Sequence, residues 1–304
     1  HYGDFAALVD LDLTVEMGEV YGFLGPNGAG KTTMIRTILD EIRPTAGRAS
    51  ILGLDSHQQA LEIRRHIGYL PGDLAMYPNL TGHDTLTFFA NLRGGVDWSY
   101  VDELVDRLGA DLAKKVGDLS SGNRQKVGRI QAFMNRPTVL IMDEPSSGLD
   151  PLVQHEFQTM VREVAAEGRT VFLSSHTLAE VQRVADRVGI IRHGRLVAVE
   201  GLADLRAKAM RRIELDVDGA IDRTVLEAVA GVSDVSTDDQ RAVFAFNGPM
   251  SELLAAVSAR HEILDIATRE AALEELVLTY HRAAPDPGCR ARSSPRPSAT
   301  AGRA

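Results

Sequence analysis

The chain has 304 residues, 44% of them apolar and 25% charged, an ordinary composition for one large or two modest domains with a real core. Its 33 basic and 42 acidic residues give a net charge of −9, which argues against a binder that works by neutralising nucleic-acid phosphates. The single cysteine, Cys289, excludes a disulfide framework within the chain and fits a reducing cytosol, and no apolar run approaches the ~18 residues that span a bilayer. No secretory leader pattern opens the chain, which begins at His1 rather than Met and leaves room for a short stretch ahead of it. If such a protein works at a membrane, a partner must supply the membrane part.

In chain order, residues 11–24 predict two short strands around the Met17–Gly18 turn, the second ending in EVYGFLG. A helix follows from Lys31 to about Asp40, with Met34, Ile35, Ile38 and Leu39 at helical spacing. RPTAGRASILG reads as turn and short strand, and HIGYLPG as another strand. Between Leu80 and Asn135 the pattern turns helical, and the stripe Val101, Leu104, Val105 and Leu108 stops at Gly109. TVLIMDEP and TVFLSSH are apolar strands separated by a helix near 152–167 that Gly168 ends, and VGIIRHGRLVAVEG reads as a hairpin around His193–Gly194. Continuous apolar strands alternating with helices predict an α/β fold with a mostly parallel sheet covered on both faces.

The texture changes near Met210. RIELDVD, VSDVST and RAVFAFN are short strands, with helices at 223–230 and 250–260 and a last helical stretch from about Arg269 to Tyr280. Residues 209–282 therefore read as a small α+β domain following a larger unit at 1–208. In the last helix, Ala272, Leu276 and Thr279 face one way and Leu273, Val277 and Tyr280 another, a pattern that suits a dimer contact or simple core packing. The tail 283–304 is rich in Pro, Ser and Arg and reads as disordered.

GPNGAGKTT, residues 25–33, carries the strongest chemical signal. It matches the phosphate-binding loop G-x-x-x-x-G-K-[ST], placed after a strand and opening a helix. Gly25, Gly28 and Gly30 let the backbone aim N–H groups inward, with Pro26, Asn27 and Ala29 completing the loop, and the helix N-terminus adds a dipole that favours phosphate. Lys31 then pairs the β- and γ-phosphates and the Thr32 hydroxyl, next to Thr33, ligates Mg²⁺. A glycine-rich turn with an incidental lysine lacks this strand-to-helix context.

TVLIMDEP delivers Asp143 and Glu144 to a strand's carboxyl end, where open α/β sheets bind ligands. Asp143 suits the surroundings of Mg²⁺, and Glu144 suits a base that positions and polarises water. Standing alone, the pair would read as a cap for the next helix; after a phosphate loop it reads as catalytic. His176, just past the strand of LSSH, joins the same sheet edge.

Taken together, phosphate loop, helical insertion, LSSGN before a helix, an apolar strand with Asp-Glu, SGLD and a strand ending in His make residues 1–205 resemble the ATP-binding cassette (ABC) ATPases. The resemblance implies a cassette with a mostly parallel core sheet, an antiparallel β subdomain and a helical subdomain at about 73–135. It also implies that Leu119–Asn123, with Ser120, Ser121, Gly122 and Asn123, is the signature sequence, which contacts the γ-phosphate of ATP held by a second cassette, and that Asp150 lies across that interface. Tyr2 matches the aromatic that stacks on adenine, and His176 the histidine that touches the γ-phosphate. The cofactors implied are ATP and Mg²⁺.

Three positions depart from the family pattern. Ser121 and Asn123 stand where Gly and Gln are usual, and Gly72 stands where a glutamine normally touches Mg²⁺ and the attacking water, so Asp73 or a water is expected to take over that contact. The short span from Gly72 to Leu119 excludes long coiled-coil insertions. Among the family's branches, the chain looks like the single-cassette ATPases of bacterial drug, antibiotic or lipid exporters. They work peripherally at the inner face of the membrane, as dimers on a separate transmembrane permease. An ABC ATPase acting on ribosomes or DNA is the alternative, disfavoured by the acidic charge and single cassette; a P-loop kinase or GTPase has no use for the signature.

Overall fold

The computed structural model describes residues 1–208 and 210–269. The helix expected at 269–280, the disordered tail expected at 283–304 and Cys289 lie outside the described residues, apart from the first residue of that helix, Arg269, which ends a strand instead.

A six-stranded sheet forms the larger unit. Its strands are β1 (Val20–Leu24), β4 (Ile67–Leu70), β5 (Val139–Asp143), β6 (Thr170–Ser175), β7 (Arg187–Arg192) and β8 (Arg195–Gly201), in the order β4-β5-β6-β1-β7-β8. The first five run parallel and β8 returns antiparallel through the turn at His193, whose φ is +47°. β1, β5 and β6 are buried along their whole length, as strands covered on both faces must be.

Alternation sorts the strand side chains between two cores. Tyr21, Phe23, Ile141 and Phe172 face α1 (Lys31–Ile38) and α2 (Ala60–His66). Val20, Leu140, Met142 and Leu173 face the other side, with α3 (Gly82–Leu92), α4 (Trp98–Leu108), α5 (Ser121–Phe133), α6 (Pro151–Ala166) and α7 (Leu178–Val184). The short pair β2 (Ser50–Ile51) and β3 (Leu54–Asp55) is antiparallel. α8 (Leu202–Lys208) follows β8.

Helix ends follow the sequence closely. Thr81 and Asp84 form a reciprocal capping box on α3, Asp97 caps α4, and Gly109 ends α4 in the left-handed conformation at φ 59°. The strand expected within residues 11–16 does not form. Leu11, Leu13 and Val15 do turn inward against the Tyr21–Phe23 core while Asp12, Thr14 and Glu16 face solvent, so the two-residue alternation is real. What the segment lacks is a neighbouring strand to share a hydrogen-bond ladder.

Beyond α8 the chain builds β9 (Arg211–Val217), α9 (Arg223–Glu227), β10 (Val232–Asp238), β11 (Arg241–Phe246), α10 (Met250–Ser258) and β12 (Ile263–Arg269). The sheet order β10-β11-β9-β12, antiparallel throughout, makes a β-α-β-β-α-β ferredoxin-like unit. It has its own core around Leu215, Phe244, Phe246 and Leu253.

Candidate active site

Three adjacent strands end at one edge. β1 leads into residues 25–30, β5 ends at Asp143 before Glu144, and β6 ends at Ser175 before His176. The register sets Asp143 beside Ser174 and Leu24 beside Ser175, and the Gly25 N–H donates to the Ser175 carbonyl at 3.1 Å.

The loop after β1 needs glycine for two physical reasons. Gly28 and Gly30 hold φ of 78° and 111°. A Cβ at Gly25 would lie 2.5 Å from the Ile191 carbonyl oxygen, and one at Gly30 would lie 2.9 Å from the Ala7 oxygen. α1 opens with Gly30 as its N-cap and no side chain capping it, so its first N–H groups stay available to an anion.

Lys31, only 6% exposed, points its ammonium back into this loop. It donates to the Gly25 carbonyl at 2.6 Å and the Pro26 carbonyl at 3.3 Å, and pairs with Glu144 Oε1 at 3.1 Å. Glu144 Oε2 lies 2.7 Å from His176 Nδ1, so one carboxylate bridges lysine and histidine. The Glu144 backbone is left-handed at φ 50°, a strained state for a side chain with a Cβ, and its N–H donates to Ser174 Oγ at 3.1 Å. Asp143, buried, accepts from the Thr32 hydroxyl at 2.7 Å through Oδ2 and from the Ser174 hydroxyl through Oδ1.

Asp143 and the Thr32 hydroxyl are hard oxygen donors of the kind Mg²⁺ prefers. Among the described residues no cluster of three His, Cys, Asp or Glu side chains could hold a metal ion. A Cβ added at Gly72 would lie 3.2 Å from Asp143 Oδ2, so position 72 faces the Asp143 carboxylate with no side chain to offer. Asp73 beside it is exposed.

The remaining sequence-derived residues sit apart from the loop. Ser120 caps α5 by accepting from the Asn123 N–H at 3.2 Å, which leaves its hydroxyl proton free. Asn123 binds its own chain, Oδ1 accepting from Asp111 N at 2.8 Å and Nδ2 donating to Asp111 O at 2.7 Å. Asp150 caps α6 by accepting from the Leu152 and Val153 N–H groups. Tyr2, 52% exposed, lies in a turn closed by paired hydrogen bonds with Phe5, while Ala7 and Leu8 are among the residues that a Cβ at Gly30 would meet.

Ser174 and Glu180 escaped the sequence reading. Ser174 links Asp143 to the Glu144 backbone, and Glu180 accepts from the Ser175 hydroxyl at 2.6 Å, steadying the turn that carries His176. Polar residues inside an apolar strand are the available signal for Ser174, but which strand lies beside it is a matter of topology.

A family model described as ABC transporter matches residues 8–147. The daunorubicin resistance ATP-binding protein DrrA3 of Streptomyces coeruleorubidus is 35% identical over 292 residues, covering 91% of this chain and 92% of that protein. The bacitracin transport ATP-binding protein BcrA of Enterococcus faecalis is 34% identical over 242 residues, covering 78% and 79%. The chain belongs to the ABC transporter ATP-binding family. As an ABC ATPase it is an enzyme that binds and hydrolyses ATP.

A solved ATP-binding subunit of an ABC transporter superposes on this ABC cassette with a TM-score of 0.61 at 33% identity, covering 66% of this chain and 86% of that one. A dimeric ATP-binding cassette bound to ADP and phosphate shares the fold, with a TM-score of 0.61 at 22% identity. Among the described residues no helix is long and apolar enough to cross a membrane.

Proposed function

We propose that this ABC ATPase is the motor subunit of an exporter, dimerising on ATP and driving a substrate through a separately encoded permease at the inner face of the membrane. One observation carries the reading. Lys31, Thr32, Asp143, Glu144 and His176 converge at one edge of the parallel sheet, whereas Ser120 and Asp150 cap the starts of two other helices. Such a set makes half of one ATP site and, separately, half of another. The names of the relatives, bacitracin transport and daunorubicin resistance, favour export of an antibiotic-like compound.

In this reading Lys31 turns from Glu144 and the Gly25 carbonyl to the β- and γ-phosphates, cradled by N–H groups of residues 25–33. Thr32 and Asp143 would hold Mg²⁺, whose charge would offset that developing on the phosphate oxygens. Glu144, released from Lys31, orients and polarises the attacking water, and His176 contacts the γ-phosphate. Gly122, the Ser120 and Ser121 hydroxyls and the N-terminus of α5 meet the γ-phosphate of the partner's ATP, with Asp150 along the seam. Asn123, committed to Asp111, acts there by shaping the loop. Tyr2 stacks on adenine, and Asp73 or a water supplies the metal contact absent at Gly72.

The test is the mass in solution of a Glu144→Gln variant with and without ATP and Mg²⁺. A shift from monomer to dimer on adding ATP is the expected result; a variant that binds ATP and stays monomeric would overturn the homodimer. For Asp73, unchanged hydrolysis and Mg²⁺ dependence in Asp73→Ala would remove it from the site.

A further inference from the structure

Arg129 is the largest fully buried side chain among the described residues, at 0% exposure. It lies on α5, the helix whose first turn carries Ser121–Asn123, yet its guanidinium reaches the turn that follows Glu144. Nε donates to the Pro145 carbonyl at 2.9 Å, and Nη2 donates to the Pro145 carbonyl and to the Ser147 carbonyl at 3.0 Å. The guanidinium carbon sits 5.7 Å from the centre of the Phe157 ring on α6. Nη1 is buried with no hydrogen-bond partner.

As a means of stability this is a poor arrangement. The arginine is cut off from water, its pKa is pushed down to about 10 by burial, and it bonds to neutral carbonyls. An apolar side chain of similar length would fill the space without a desolvated charge or an orphan donor.

The geometry gives the arginine another use. Glu144 is held in a left-handed backbone that relaxes unless both flanks are fixed. Ser174 fixes the N–H side. The Pro145 and Ser147 carbonyls, on the other side, are fixed by Arg129. The same turn packs on the start of α5, where a Cβ at Gly122 would lie 3.3 Å from the Gly148 oxygen.

We propose that Arg129 is a positioning residue for hydrolysis: it holds the 145–147 turn, keeps Glu144 in its reactive backbone geometry and fixes that turn to the helix carrying Ser121–Asn123. The inference rests on the hydrolytic role proposed for Glu144. Arg129 touches no reacting atom, so its loss acts on kcat and leaves ATP binding intact.

The experiment compares steady-state ATPase kinetics, binding of a fluorescent ATP analogue and melting temperature for the full chain and its Arg129→Met, Arg129→Lys and Arg129→Gln variants, with Glu144→Gln as control. Arg129→Met, in which relief of the buried charge is offset by the stranded Pro145 carbonyl, is expected to melt within a few degrees of the parent, keep KM and analogue affinity within about twofold, and lose roughly 10- to 100-fold in kcat. Arg129→Lys, which can still donate to both carbonyls, is expected to recover most of that loss, and Arg129→Gln less. A folded Arg129→Met with kcat within about twofold of the parent overturns the inference, as does a loss shared equally by binding and kcat. Should Arg129→Met fail to fold, kcat ranking Arg above Lys above Gln at constant KM sustains it, and equal kcat among the folded variants overturns it. A parent that hydrolyses ATP no faster than Glu144→Gln would instead remove the role of Glu144 itself.

Discussion

In the six-stranded sheet five parallel strands end at one edge, whereas in the four-stranded sheet neighbouring strands run antiparallel and divide their ends between two edges. The consequence is visible in where each keeps its charges. The parallel sheet gathers Lys31, Glu144 and His176 within ion-pair or hydrogen-bond reach, beside the buried Asp143 at the end of β5. The antiparallel sheet alternates Ile213, Leu215 and Val217 inward with Arg212, Glu214 and Asp216 outward. Its ion pairs, such as exposed Arg241 with half-buried Glu214 and exposed Asp216, are cross-strand contacts at the solvent face. Parallel topology focuses reactive groups; antiparallel topology spreads them over a wet face.

The largest expected effect sharpens that contrast. Glu144→Gln is expected to lower kcat by about 10²–10⁴-fold while the melting temperature stays at its parent value, measured by steady-state phosphate release and thermal unfolding. Phe244→Ala, in the core of the small sheet, should do the reverse. It is expected to cost that unit about 3–5 kcal/mol and to leave ATP affinity unchanged, as denaturant unfolding and nucleotide titration would show. A parallel fall in ATP affinity would mean the two units are energetically coupled.

A Cβ at Gly68 on β4 would lie 2.0 Å from the Ala132 carbonyl oxygen, so Gly68→Ala is expected to destabilise the larger sheet by about 1–3 kcal/mol. Unfolding monitored at Trp98, the chain's one tryptophan, reads that loss directly.

The smallest effect treats both units alike. Hydrogen bonds from the Thr81 hydroxyl and backbone hold Asp84 below its ordinary 3.8, and the Thr224 hydroxyl and backbone do the same for Asp222. With a folded pKa below the unfolded one, each cap's contribution is present above about pH 4 and is lost as pH falls through the lower folded value. Amide exchange at the starts of α3 and α9 is expected to rise together in that acid window, and Thr81→Ala should remove the response at α3 only.

Much of this was legible in the chain. The loop 25–33 carries its own geometry in its glycines, and α4 is bounded by Asp97 and Gly109, each a local instruction. The strand expected within 11–16 failed although its alternation is genuine, because a strand needs a partner and period alone supplies none. α2 and β12 went unread: α2 buries only Ile63 deeply, and ILDIATR alternates weakly. The signature reading of Ser120–Asn123 came from family resemblance, whereas the bonds that commit Asn123 to Asp111 came from the fold.

By itself the sequence determined the elements and the chemistry each could bring: a phosphate loop opening a helix, an acidic pair closing an apolar strand, a histidine closing another. These depend on neighbours a few residues away, within reach of dihedral preference, capping and periodicity. Tertiary structure alone decided that β5 and β6 lie side by side, so that Ser174 ties Asp143 to Glu144, and that Arg129 faces inward onto a turn rather than outward to water. Those contacts join residues distant along the chain, and only the packed sheet and its helices bring them within hydrogen-bond distance.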